Sequence, residues 1–418
     1  MTRKWILWGL CILLVLPACG INESTDKQHS QKEGRQLTLD PKERAAVLDK
    51  LDKKIVEAQN AFGLRLHQKI SKQGTGDNVI ISPYSLSAAL ALAYNGSAGD
   101  TAKEMERVLG WSDMGLAQVN DANRQLKSLL EHGGGATLNI ANSVWIQNQF
   151  VIKESYLNVV KDRYDAEIKM TDLSHDDSVK EINSWVDQKT NGKITELYKD
   201  PPFTKAVLIN AIYFNGGWMD EFDPQRTKEE NFTLADGTVK RVPMMKQERG
   251  FSYKESDKWQ AVRLPYGDGR MHMLVVVPSK ESSLDELHKE LWRDPSIWQD
   301  EYSFETVKLE LPRFKAELSA ELTDVLKAAG IRKAFDPKTA DFSAMAESPL
   351  YIGRVQHKVV VDVNEKGTEA AAVTSIDMPT SAAPLQNPIK MIADRPFFFA
   401  IEDRDTETWL FMGSVTNP

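Results

Sequence analysis

Val359-Val360-Val361-Asp362-Val363-Asn364-Glu365-Lys366-Gly367-Thr368-Glu369-Ala370-Ala371-Ala372-Val373-Thr374 is the stretch on which the reading of this chain turns. Four of its first five residues are valine, the composition of a pleated, packed strand. From Gly367 to Ala372 side-chain bulk almost disappears, Glu369 excepted. Beyond it, Ser375 to Pro388 is largely polar and is interrupted by Pro379, Pro384 and Pro388. Read locally, this is a strand followed by a long exposed loop, and such loops are either functional or disordered.

Outward from this stretch, the 418 residues suffice for one large domain or two ordinary ones. A content of 41% hydrophobic and 27% charged residues is that of a globular chain. The net charge of -8 argues against a general nucleic-acid binder, whose footprint is a basic face. The helical stretch around Arg124 and Lys127 carries too few positive charges to hold a heparin-type polyanion.

Both cysteines, Cys11 and Cys19, lie near the N-terminus. Residues 1–19 open with Arg3 and Lys4, run through apolar Trp5 to Leu16 and close on Leu16-Pro17-Ala18-Cys19, the pattern of an export signal too short to span a bilayer. Its end resembles the bacterial lipoprotein processing box, with Cys19 as the lipidated residue and Pro17 as a less usual occupant. An uncleaved anchor or an ordinary secretory peptide stays open as an alternative. The expected address is extracytoplasmic, at the cell envelope or in the extracellular space. Residues 20–40 are polar without apolar period and read as a flexible tether. The folded part is expected over 41–418.

Along that part, apolar residues from Ala46 to Ile70 recur at helical spacing, one long or two short helices. Ser82-Pro83 reads as a helix cap and first turn, with a buried, alanine-rich helix behind it. Leu138 to Ile146 alternates like a strand. Ala206 to Phe214 is almost continuously apolar and should be a strand buried on both faces. Gly267-Asp268-Gly269 marks a hairpin. Val307 to Leu311 alternates as a strand, and Leu318 to Ala329 reads as a helix closed by Gly330. Without a regular βαβ period, the class is α+β.

Chemistry is scarce. The seven histidines are scattered, none at metal-ligand spacing with another His or a Cys, and no Gly-x-Ser-x-Gly elbow occurs. Ser82 and His357 as nucleophile and base would lack an oxyanion hole, so a buried hydrogen-bonded cluster is the better reading. No catalytic residue, metal or cofactor is proposed.

Several separate motifs do carry a resemblance. Asn78-Val79-Ile80-Ile81-Ser82-Pro83-Tyr84-Ser85, Asn210-Ala211-Ile212-Tyr213-Phe214-Asn215-Gly216-Gly217-Trp218, Val242-Pro243-Met244-Met245, Arg395-Pro396-Phe397 and Phe411-Met412-Gly413 resemble the signature runs of the serpins, inhibitors of serine proteases. The likeness covers about Ala46 to Pro418. It implies a monomer of three β-sheets wrapped by about nine helices, with an exposed reactive-centre loop at about 365–390. It also implies the family's mechanism: the protease cuts the loop, is held as an acyl-enzyme, and is carried to the far end as the loop enters the main sheet.

Carried onto this sequence, the hinge is Glu365, Lys366, Gly367, Thr368, Glu369, Ala370, Ala371 and Ala372. Small side chains there fit a segment that must pass between packed strands. Glu369 must face solvent, and Val373 replaces a smaller residue. Ser82, Ser85, Asn210 and His357 fall on the family's sheet-opening switch. Trp218 lies where insertion starts, and Glu365 is expected to pair with Arg313. Counting from the hinge puts the reactive bond at Ser381–Ala382, whose small side chains suit an elastase-like or subtilisin-like protease. Counting back from Pro396 puts it near Leu385, which suits a chymotrypsin-like one. A non-inhibitory serpin acting as a binding or structural protein is the alternative.

Overall fold

The computed structural model describes residues 39–72, 78–131, 135–294, 302–368 and 387–418. The first amphipathic stretch divides at Leu51-Asp52 into α1 (Pro41–Lys50) and α2 (Lys53–Lys72). After the short β1 (Val79–Ile81), α3 (Pro83–Gly96) begins on Ser82, whose side-chain oxygen accepts a hydrogen bond from the Ser85 N–H. Pro83 occupies the first turn, where a missing N–H costs nothing. Every residue of α3 is buried, which makes it the spine of the molecule.

Next come α4 (Gly99–Leu109), stopped by Gly110 at φ +78°, and α5 (Leu116–Glu131). They are followed by β2 (Ala136–Gln147), α6 (Glu154–Tyr164), β3 (Glu167–Thr171) and α7 (Asp176–Lys189). The apolar run becomes β4 (Ala206–Gly217). Then follow β5 (Lys228–Thr233), the 17-residue β6 (Val239–Glu255), and the hairpin of β7 (Trp259–Tyr266) and β8 (Met271–Pro278). The chain continues through α8 (Leu284–Arg293), β9 (Ser303–Pro312), β10 (Phe314–Glu321) and α9 (Thr323–Ala329). It ends with β11 (Arg354–Asn364), β12 (Gly367–Thr368), β13 (Ile389–Ile392), β14 (Phe397–Asp403) and β15 (Thr408–Val415). Nine α-helices are thus present among the described residues.

One expectation is corrected here. Leu318 to Glu321 is not helical but completes β10, paired antiparallel with Gln356 to Val359 of β11. The helix starts only at Thr323. Alternation of Ala316, Leu318 and Ala320 against β11 overrides a local helical preference that Leu, Ala and Glu share.

The main sheet has six strands in the order β10-β11-β12-β4-β2-β3, with β11 and β4 also paired directly. The other nine strands form one hydrogen-bonded ladder that contains two sheets. β6 pairs with β5 and β9 over most of its length and with β7 only from Ser252 to Glu255. It therefore joins a sheet of β5, β6, β9 and β13 to one of β6, β7, β8, β14, β15 and β1. The three-sheet α+β architecture is present.

β4 shows why its sequence is apolar throughout. Leu208, Ile212 and Phe214 face the main core, while Val207, Ile209 and Ala211 face the opposite side. On that side α7 packs Ile182, Trp185 and Val186 over them, together with Trp145 of β2 and Val360 of β11. Trp145 and Trp185 meet edge to face at 6.1 Å, an arrangement stabilising by about 1 kcal/mol beyond area burial. α7 thus rests on strands from both sides of the β4–β11 seam.

Candidate functional site

The β4–β11 seam is closed along one part of its length and open at one end. From Arg354↔Val207 to Val360↔Tyr213 the two strands pair in parallel. Above that they part, and β12 lies between them. Thr368 sits opposite Val363 of β11 and Gly216 of β4, and Gly367 opposite Asn364 and Gly217, antiparallel to both neighbours. The wedge is tight: Gly367 has φ +144°, and a Cβ there would stand 2.1 Å from the Gly216 carbonyl oxygen. Only glycine fits.

Four contacts hold the hinge in this mouth. The Trp218 backbone N–H donates to the Lys366 carbonyl and its indole Nε1–H to the Asn364 carbonyl, both at 2.9 Å. The Phe222 N–H donates to the Glu365 carbonyl at 2.9 Å. Thr368, fully buried, shares a 2.7 Å hydrogen bond with the Tyr266 hydroxyl. Trp218 stacks on Tyr266 with ring centroids 4.3 Å apart, 13° from parallel.

Glu365, only 5% exposed, accepts two 2.8 Å bonds from Arg313 Nε and one of 2.6 Å from the Thr227 hydroxyl. Burial alone raises its pKa, but the Arg313 and Thr227 hydrogen bonds outweigh burial and hold the carboxyl below its usual range. Lys366 points to solvent.

Lower in the seam, a polar row crosses the sheet. Asn142 of β2, Asn210 of β4 and His357 of β11 stand in register. His357 Nε2 accepts from the Ser82 backbone N–H at 3.3 Å, so its proton resides on Nδ1, which donates to Asn210 Oδ1 at 2.6 Å. Asn210 Nδ2 donates to Asn142 Oδ1 at 2.6 Å and to the Ser85 hydroxyl. The Ser82 hydroxyl donates to the Leu410 carbonyl of β15 at 2.6 Å, tying the row to the second sheet. It does not face His357, so no nucleophile–base pair exists here. Ser82, Ser85, Asn210 and His357 are all fully buried.

The structure therefore brings Ser82, Ser85, Asn210 and His357 together, and gathers Trp218, Arg313, Glu365, Gly367 and Thr368 at the mouth. Glu369, Ala370, Ala371, Ala372, Ser381, Ala382, Leu385 and Cys19 lie outside the described residues. Asn142, Thr227 and Tyr266 were not singled out in the sequence, where nothing marks them. Their partners are 68, 138 and 102 residues away along the chain. Arg124 and Lys127 are engaged by Asp121 and Glu131 on their own helix.

Burial pushes the His357 imidazole down to about 3, and does the same to His67 (about 3) and His288 (about 4). All three are neutral in the fold. Below pH ~6.5 the unfolded chain takes up protons that the folded chain refuses, so stability falls with falling pH and is unaffected above. Each histidine contributes a slope of up to about 1.4 kcal/mol per pH unit. Urea unfolding between pH 8 and 5 is expected to show this fall, and His357→Gln to lessen its slope by roughly a third. An unchanged slope would refute the assignment.

A main sheet that already admits the first residues of a following loop between two of its strands defines a class of strand-accepting α+β proteins. The family described as "Serpin (serine protease inhibitor)" matches residues 57–418. An uncharacterised serpin-like protein of Thermococcus kodakarensis is 38% identical over 376 residues, 88% of this chain and 86% of that protein. Serpin B6 of Macaca fascicularis is 35% identical, over 87% of this chain and 99% of its own. Among solved structures, the thermophilic serpin tengpin in its native state superposes with a TM-score of 0.80 at 31% identity, covering 88% of this chain and 95% of tengpin. The chain belongs to the serpin family, whose members are typically protease inhibitors rather than enzymes.

Proposed function

We propose that this protein inhibits serine proteases as a suicide substrate. The observation that carries the reading is the placement of Gly367 and Thr368 between β4 and β11, with Ala370, Ala371 and Ala372 next in sequence. A strand that has begun to enter a sheet, and continues in side chains small enough to follow, is built to go further.

The protease serine Oγ attacks the Ser381 carbonyl carbon, and the Ser381–Ala382 C–N bond breaks. Ala382 leaves as the free amine, taking up a proton, and an ester joins Ser381 to the enzyme. Insertion then outruns the water that would hydrolyse the ester. At ~3.3 Å per residue, Glu365 to Ser381 spans on the order of 50 Å, enough to cross the sheet. The small residues Thr380, Ser381 and Ala382 fit the narrow pocket of an elastase-like or subtilisin-like enzyme. Cleavage near Leu385 would instead fit a chymotrypsin-like one. The Arg3–Cys19 segment supports export, lipidation at Cys19 and anchoring at the cell envelope, with the inhibitor acting as a monomer.

Incubation of the protein with elastase, subtilisin and chymotrypsin is the test. At least one is expected to give an adduct that survives denaturing electrophoresis, with the cut mapped by mass spectrometry to Ser381–Ala382. Cleavage by all three without any adduct would overturn the proposal in favour of a non-inhibitory binding role.

A further inference from the structure

On the inner side of β2 the polar row does not end in packed hydrocarbon. Asn142, 9% exposed, gives its Oδ1 to Asn210 Nδ2 at 2.6 Å, and its own Nδ2 has no hydrogen-bond partner among the described residues. Tyr84 is in the same condition. It stands in the first turn of α3 beside Ser85, is 3% exposed, and its hydroxyl bonds to none of the described residues. Burial, with Glu131 and Tyr164 nearby, holds its pKa well above that of a free phenol, so the group remains a donor.

Both side chains line one small cavity. Its volume is about 40 Å³, and it lies between β2 and the helices α3, α5 and α6. Ala88 and Ile140 form apolar parts of its wall. Lys127 and Glu131, joined at 2.7 Å and partly exposed, line it toward solvent.

Two buried donors aimed into one space need acceptors there. A buried donor left unpaired costs more than an ordinary hydrogen bond contributes, and native folds hold few such groups. Water meets the requirement. It accepts two hydrogen bonds and donates two, and an internal water takes two to four polar partners in roughly 10–15 Å³. Tyr84 and Asn142 donate to it. For its own hydrogens, the Glu131 carboxylate and the Tyr164 oxygen belong to the groups around the cavity, the Tyr164 proton being given to Asn120 at 2.6 Å.

We propose that this cavity is an internal hydration site, holding up to about three ordered waters that complete the hydrogen bonding of Tyr84 and Asn142. The row from Ser82 through His357 and Asn210 to Asn142 then ends in water. The first turn of α3 serves the row twice, through the Ser85 hydroxyl directly and through Tyr84 by way of solvent. The inference stands independently of protease inhibition.

The test is urea unfolding of the full-length protein carrying Tyr84→Phe, Ala88→Ile or both. Tyr84→Phe removes a hydrogen bond that is made, so the midpoint is expected to fall by roughly 0.3 M. An unchanged or higher midpoint marks a dry, unpaired hydroxyl and overturns the proposal. Ala88→Ile fills the cavity with hydrocarbon and expels the water, which should lower the midpoint further. Adding Tyr84→Phe to it should recover part of the loss, because the stranded hydroxyl is then gone. A gain in stability from Ala88→Ile alone would also overturn the site. Should that variant fail to fold, the wild type decides by itself. In a deuterated sample the Asn142 side-chain amide is expected to show a nuclear Overhauser cross-peak to long-lived water, and its absence would refute the assignment.

Discussion

Replacing Thr368 by arginine is expected to abolish covalent trapping while leaving the loop cleavable. Thr368 is fully buried between β4 and β11, and its hydroxyl is taken up by Tyr266 at 2.7 Å. An arginine there must either hold the hinge out of the mouth or bring a charge into a site shaped for a threonine. Burying a cation without a partner costs several kcal/mol. About 4 kcal/mol added to the insertion barrier slows that step roughly a thousandfold, enough for water to reach the ester first. The variant should be turned over as an ordinary substrate, giving cleaved protein and active protease. Thr368→Ser keeps the hydroxyl and should trap as the wild type does. An arginine variant that forms adduct in wild-type yield would sink this account of the mouth.

Cutting the loop in the absence of trapping should raise the melting temperature by about 15 °C or more. In the uncut protein β4 and β11 meet in a parallel ladder of seven residue pairs. Insertion replaces that ladder with two antiparallel edges, one on each side of the new strand, and antiparallel pairing is slightly more stable per residue. A net gain of roughly ten hydrogen bonds, each near 1 kcal/mol, gives about 10 kcal/mol, comparable to the whole stability of an ordinary domain. Circular dichroism melts before and after limited proteolysis read the change directly. Coincident melts would mean that the uncut sheet is already at its most stable arrangement, and the proposed driving force would be gone.

Much of the fold was legible because its signals are local. Ser82-Pro83 announces a helix start by its own chemistry, Ala206 to Phe214 a doubly buried strand by its lack of polar residues, and Gly367 to Ala372 a segment short of bulk. Leu318 to Glu321 misled for the same reason: the local helical preference that holds from Thr323 to Ala329 was outweighed there by β11, a neighbour more than thirty residues on in sequence. The mouth was only half legible. Glu365, Arg313 and Trp218 came from likeness to a family, while Tyr266, Thr227 and Asn142 meet the hinge and the switch only through the fold. Their neighbours in the chain give no hint of it, since a hydrogen bond formed across a sheet leaves no periodic trace. The reactive bond rests on counting residues, which is why Ser381 and Leu385 both arose.

The position of α7 carries a consequence of another kind. Its Trp185 and Val186 pack with Val207, Ile209 and Ala211 from one side of the seam and with Val360 from the other. Parting the strands would carry Val360 away from the rest of this apolar cluster, so on the proposed mechanism α7 would act as a clasp on the uncut fold. Such a molecule has a shelf life as well as a stability. On that mechanism the clock would be kept in a few apolar residues under α7. If the protein inhibits as proposed, sequence change under α7 would lengthen or shorten the working life of the uncut form while leaving the loop sequence untouched.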